Sequence, residues 1–186
     1  MSWSEIRPPR AEWRRFAVLL LALPAGGCFQ PLYGEAAHPG LVADLQAIAV
    51  EPVKAAPNGP QQNDLDRIDH YLGNDLIANL NGTGVSPEPK YRLTVTTSFQ
   101  TATPTISSQI EAANAATVTV VANYTLKRAG GGETMVTGAA SNVTVYDRTA
   151  QRFANLRALR DSEIRLAKSL ADEIELRLAA YLGDKK

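Results

Sequence analysis

Between Tyr91 and Tyr146 the chain takes up period-two alternation three times in succession, and this limits its possible folds more than any other feature. In the first segment Tyr91, Leu93, Val95, Thr97 and Phe99 oppose Arg92, Thr94, Thr96, Ser98 and Gln100. In the second, Val118, Val120, Ala122, Tyr124 and Leu126 oppose Thr117, Thr119, Val121, Asn123, Thr125 and Lys127. A third runs from about 133 to 146, with Val143 and Val145 opposite Thr144 and Tyr146. Alternation of this kind predicts half-buried strands, and Lys127-Arg-Ala-Gly-Gly-Gly-Glu133 between the last two predicts a hairpin loop. The wet faces carry mostly Thr, Ser, Asn and Gln, with little Lys or Glu. Such a face suits a strand and gives up little when it meets a polar wall.

Helical periodicity flanks these strands. Leu65, Ile68, Leu72, Leu76 and Leu80 recur at three and four, with Asp64 as the expected cap and Asn81-Gly82 as the stop. A longer helix is predicted over 156–182, with Ile164, Ala167, Leu170, Ile174, Leu178 and Tyr181 as its apolar stripe and Gly183 closing it. Asp161 with Arg165, Lys168 with Asp172, and Glu173 with Arg177 pair at four along it. Ahead of both helices, Leu45 to Val53 reads as a short strand closed by Pro52, with Leu45, Ala47 and Ala49 on one face. The order β-α-β-β-β-α predicts an α+β fold, a two-layer sandwich. It would have a mostly antiparallel sheet of about four strands and two helices on one face, forming a single domain over 44–183.

The first 27 residues read as a removable secretory signal. Arg7, Arg10, Arg14 and Arg15 precede the apolar run Phe16-Ala-Val-Leu-Leu-Leu-Ala-Leu23, and small residues Ala25-Gly26-Gly27 follow. Eight apolar residues fall well short of the roughly 20 that span a bilayer as a helix. A buried N-terminal helix would leave the clustered arginines unexplained. Taking its four arginines and two glutamates from the 19 bases and 19 acids of the whole chain leaves 15 and 17. That balance lacks the basic excess nucleic-acid binding requires.

Ala25-Gly26-Gly27-Cys28 resembles the lipobox of bacterial lipoproteins, with Ala25 where leucine is commoner. The resemblance implies cleavage before Cys28, diacylglycerol on its sulfur and an acyl chain on its new amine. Cys28 is the only cysteine, so an internal disulfide is impossible. More than one chain gives stable anchoring. Phe29 stands where enteric lipoproteins retained in the inner membrane carry aspartate, which by the same resemblance implies the periplasmic face of the outer membrane. Residues 28–43, with His38-Pro39-Gly40, read as a tether.

Catalysis needs converging titratable groups, and these are scarce. His38 falls in the tether, and His70 beside Asp69 reads as a surface histidine. The chain contains no HExxH, Cys-x-x-Cys, Gly-x-Ser-x-Gly or phosphate-cradling loop. Asp64-Leu-Asp66 and Asp172-Glu173 lie near Arg or Lys and read as solvated helix faces rather than metal ligands. A non-enzyme without metal or cofactor, apart from the acyl chains on Cys28, is expected.

Three segments resemble the lipopolysaccharide-assembly lipoproteins of the LptE type, in their alphaproteobacterial form. They are Phe29-Gln30-Pro31-Leu32-Tyr33-Gly34, which lacks the family's glycine after the cysteine; Ser141-Asn-Val-Thr-Val-Tyr-Asp-Arg148; and the helix Ser162 to Leu178 with its Leu-Ala-x-x-Ile-x-x-Arg-Leu pattern. The resemblance implies a plug and assembly partner for the outer-membrane barrel LptD, serving lipopolysaccharide transport to the outer leaflet. It further implies lipopolysaccharide contacts by basic residues near strand ends, for which Lys127, Arg128, Arg148, Arg152 and Arg157 are available. On the residues alone, each of these also reads as an ordinary loop charge. The alternative role is a lipid-anchored binding module of an envelope ABC transporter or lipid-trafficking system.

Overall fold

The computed structural model describes residues 39–56, 62–82, 87–102 and 115–184. The signal sequence, Cys28, most of the tether and His38 lie outside the described residues. Eight elements follow in order: α1 (Leu41–Gln46), β1 (Ile48–Val50), β2 (Lys54–Ala55), α2 (Gln62–Asn81), β3 (Tyr91–Ala102), β4 (Ala115–Arg128), β5 (Thr134–Asp147) and α3 (Arg152–Asp184). The compact unit spans Gly40–Lys186.

The architecture is the expected α+β sandwich, with an extra short strand and an extra helix. β3, β4 and β5 form an antiparallel meander, and β1 and β2 both pair with β3 in parallel at successive registers, making five strands. β1 reaches its parallel position because α2 carries the chain back along the sheet before β3 begins.

The segment expected to start the first strand at Leu45 instead opens with α1, which begins inside the stretch read as tether. Leu41 and Leu45, four apart, both enter the core, and Ile48 then starts β1 fully buried. Two apolar residues at helical spacing gain more burial as one turn of helix than as an extended lead-in.

Each long strand obeys its alternation. The inward set Leu93, Val95, Thr97 and Phe99 on β3, and Val118, Val120, Ala122, Tyr124 and Leu126 on β4, is buried under the helices. On β5 Thr144 and Tyr146 point inward, so Val143 and Val145 stand on the open face, 55% and 57% exposed. Tyr124 lies directly opposite Gly138, over which its ring folds; a Cβ there would strike the ring. The hairpin loop turns through Gly130 (φ 88°) and Gly132 (φ 66°), a backbone region hostile to side chains.

α2 presents Ile68, Leu72, Leu76 and Leu80 to the core and ends at Asn81, where Gly82 takes φ 56°. It begins at Gln62, so Asp64 sits in the first turn and not at the cap. α3 starts four residues earlier than expected and runs through Gly183. Asn155 secures its start, exchanging hydrogen bonds with the amide (2.7 Å) and carbonyl (2.8 Å) of Thr149. Its three charge pairs at four form as expected.

The expected stripe of α3 holds at Ala167, Leu170, Ile174 and Leu178, which are fully buried, with Tyr181 packed beside them, and fails at its first member. Ile164 is exposed, while Ser162 and Glu163 are fully buried among Leu166, Leu170 and Ile174. Glu163 faces α2, where Arg67 donates to it through Nε (3.0 Å) and Nη2 (2.9 Å). This two-pronged pair ties the helices together. α3 also guards the free edge of β5: Tyr181 donates to the carbonyl of Met135 (2.7 Å) and Arg177 to that of Ala139 (2.5 Å).

Candidate functional site

The fold separates the five basic residues singled out from the sequence into two groups. Lys127 and Arg128 end β4 beside the hairpin, whereas Arg148, Arg152 and Arg157 follow the far end of β5, where Ala115 pairs with Asp147. Twelve strand residues at ~3.3 Å each place the groups about 40 Å apart. They cannot meet one headgroup together. None of the five makes an ion pair among the described residues.

At the hairpin end the structure adds residues the sequence reading missed. Arg92 pairs across the sheet with Lys127, and its Nη1 reaches Glu51 at 3.1 Å. Thr94 also donates to Glu51 (2.8 Å). That hydroxyl holds the Glu51 carboxyl below its usual range, with Arg92 and Lys54 adding to the effect against the opposing cost of burial. Lys90 similarly meets Asp44 at 3.1 Å. Glu51, Arg92, Thr94, Lys127, Arg128, Gly130 and Gly132 enclose a shallow depression of about 350 Å³. Within it Arg92 is answered by Glu51, while Lys127 and Arg128 are open to an anion. Cross-strand register makes this cluster, and register depends on pairings between β1, β3 and β4 that no local pattern announces.

A larger groove of about 630 Å³ runs between α2 and the β1–β2 edge, lined by Glu51, Lys54, Asp66, Asp69, His70 and Asn74 among others. Asp69 is buried and accepts a hydrogen bond from the Thr97 hydroxyl. Burial pushes its carboxyl up, Thr97 opposes that shift, and Asp66 adds to it. His70 is exposed, as expected; its Nε2 meets Asn74 Nδ2 at 3.2 Å and its ring stands edge-on to Tyr71, centroids 6.0 Å apart. Among the described residues no group of three His, Cys, Asp or Glu side chains is placed to hold a metal ion.

The broadest uniform surface is the sheet face turned away from the helices. Thr94, Thr125 and Thr137 form one rung across β3, β4 and β5, and Ser98, Val121 and Ser141 form another. Within β3, β4 and β5 charge is confined to the rung at the hairpin end, where Arg92 and Lys127 meet, and to Asp147 at the far end of β5, while Glu51 and Lys54 add charge along the β1–β2 edge.

No protein-family model matches this chain, and no curated protein matches it in sequence. Among solved structures it is similar to a candidate lipoprotein from Caulobacter crescentus CB15, at 22% identity and a TM-score of 0.58, covering 79% of this chain and 98% of that one. It is also similar to the rare lipoprotein B from Shewanella oneidensis, at 8% identity and a TM-score of 0.41, over 68% and 93% of the two chains. A minor lipoprotein from Acinetobacter baumannii matches at 10% identity and a TM-score of 0.44, over 73% and 92%. The Caulobacter likeness shows a shared fold. The two weaker ones add nothing to it.

Proposed function

We propose that this chain is an outer-membrane lipoprotein, acylated on Cys28, whose domain plugs and helps assemble an LptD-like β-barrel in lipopolysaccharide transport. Its role is to bind and position, not to catalyse. The observation that carries the reading is the open sheet face. Across β3, β4 and β5 it is a broad plane rich in hydroxyls and amides, with Val121, Val143 and Val145 among them, backed by a packed core and left uncovered by every described helix. A barrel lumen is a polar, curved β-wall, and a Thr-rich face exchanges water for such a wall without stranding charges. The residues that resemble the LptE type point the same way, and the Caulobacter protein of similar fold is itself named as a candidate lipoprotein.

Within this reading Lys127 and Arg128 are the basic pair that meets lipopolysaccharide phosphates, since the fold puts Arg148, Arg152 and Arg157 too far away to join them. Pull-down of the tagged chain from detergent-extracted outer membrane tests the proposal. A stable one-to-one complex with a large β-barrel protein is expected, and a pull-down free of any barrel would sink it. Lys127→Asp with Arg128→Asp should weaken lipopolysaccharide binding without unfolding the domain.

A further inference from the structure

The first four turns of α3 carry large apolar side chains on the outside. Phe153 is 83% exposed, Leu156 45% and Ile164 42%. At about 100° per residue, these three share one sector of roughly 140° with Arg152, Arg157 and Arg160. Packing on the core begins only further along, through Leu159, Ser162, Glu163 and Leu166; Glu163 falls at the edge of the same angular sector but is buried against Arg67 of α2. None of the three arginines makes an ion pair among the described residues. From Arg148 to Arg160 the sequence has four arginines and no acid; Asp161, at the border of the sector, is already held by Arg165.

An exposed helical face mixing arginine with Phe, Leu and Ile is unusual on a solvated surface and matches the interface of an anionic bilayer. There apolar side chains enter the acyl boundary while guanidinium groups stay with the phosphates. We infer that this face of α3 docks on the anionic phospholipid surface of a membrane. Charge complementarity selects that occupant: three arginines on one helix face, none in an ion pair among the described residues, fit a continuous sheet of phosphates. The inference borrows from the proposed function only the tether at Cys28. Eleven residues lie between Cys28 and Gly40, a reach of at most about 40 Å, which keeps the domain near a leaflet. With anchor and helix both engaged, the domain has two points of attachment and therefore a fixed orientation to the membrane.

Tryptophan occurs in this chain only at Trp3 and Trp13. In full-length protein carrying Trp3→Phe, Trp13→Phe and Phe153→Trp, the helix face therefore holds the sole indole whether or not the leader is removed. The purified lipoprotein is reconstituted into vesicles of phosphatidylcholine alone, of phosphatidylcholine with phosphatidylglycerol, or of phosphatidylcholine with lipopolysaccharide, and quenching by brominated acyl chains is read. Quenching in the phosphatidylglycerol vesicles, lost in high salt, is expected. The docked-to-undocked ratio should fall about fivefold for each of Arg152, Arg157 and Arg160 changed to Gln. Quenching confined to lipopolysaccharide vesicles, quenching that needs an added barrel protein, or none anywhere would each overturn the inference. The mass of the same preparation reports acylation of Cys28, so loss of the tether and loss of helix docking are separate results.

Discussion

The two faces of the sheet are made by the same strands from neighbouring residues, yet they answer to different demands. The face under α2 and α3 is closed: Leu93, Val95, Val118, Val120 and Leu126 are fully buried against leucines from both helices. Even the polar groups buried there are spoken for, Thr97 of β3 by Asp69 and, between the helices, Glu163 by Arg67. The other face has Thr and Ser at nearly every rung and packs on no described helix, its ties within the chain including those of Arg92 and Thr94 to Glu51. The first face specifies the fold, and the second is the one on which the proposed barrel contact rests. A side chain can therefore matter greatly on one face and hardly at all one position along the same strand.

Substitutions can break this contrast, and the covered face should respond first. Leu170→Ala empties a fully buried site on α3 and is expected to cost about 2–5 kcal/mol in urea unfolding. Glu163→Ala removes the fully buried carboxylate that takes the two-pronged contact from the partly exposed Arg67. A loss of about 3 kcal/mol is expected, and a much smaller one would mean that the pair is replaceable. Gly138→Ala pushes a methyl into the Tyr124 ring and should cost about 2 kcal/mol, with relief when Tyr124 is also shortened to Leu.

Asp69 offers a test of sign. Burial raises its folded-state pKa above the ordinary 3.8, so the folded chain keeps this proton after the unfolded chain has released it. The stability it contributes is full below about 3.8 and declines as pH rises through the raised value. Asp69→Asn cannot ionise and still accepts from Thr97. Thermal melts should find the variant close to wild type in acid and more stable at neutral pH; the reverse ordering would show that the ionised carboxylate is favoured where it sits. The smallest effect belongs to the open face: Thr119→Lys should move stability by no more than about 0.5 kcal/mol. The same change should impair barrel association, because it strands a charge against the proposed wall. Unimpaired association would remove this face from the contact.

The elements were legible where period and burial coincide. All inward positions of β3 and β4 follow from alternation, and the α2 stripe follows from leucines at three and four. Misreadings came where local pattern was short. Leu41 and Leu45 form a helix too brief to announce itself. Glu163 lies in the column Leu159, Glu163, Leu166, Leu170, a spacing visible in the sequence but obscured because a glutamate is expected in water. The exposed Phe153, Leu156 and Ile164 were hidden by the same assumption in reverse. Of the candidate site, Lys127 and Arg128 were readable as a basic end to a strand, whereas Arg92, Glu51 and Thr94 reach them only through strand pairing.

The sequence by itself determined the number and type of the main elements, the hydrophobic side of each and the polar character of the open sheet face. These follow from side-chain spacing, which acts within one element. Only the tertiary structure decided which polar groups are buried, which bases find acids and that the two arginine-rich ends stand about 40 Å apart. Those outcomes depend on which elements become neighbours, and the free energy of packing the whole core selects that arrangement.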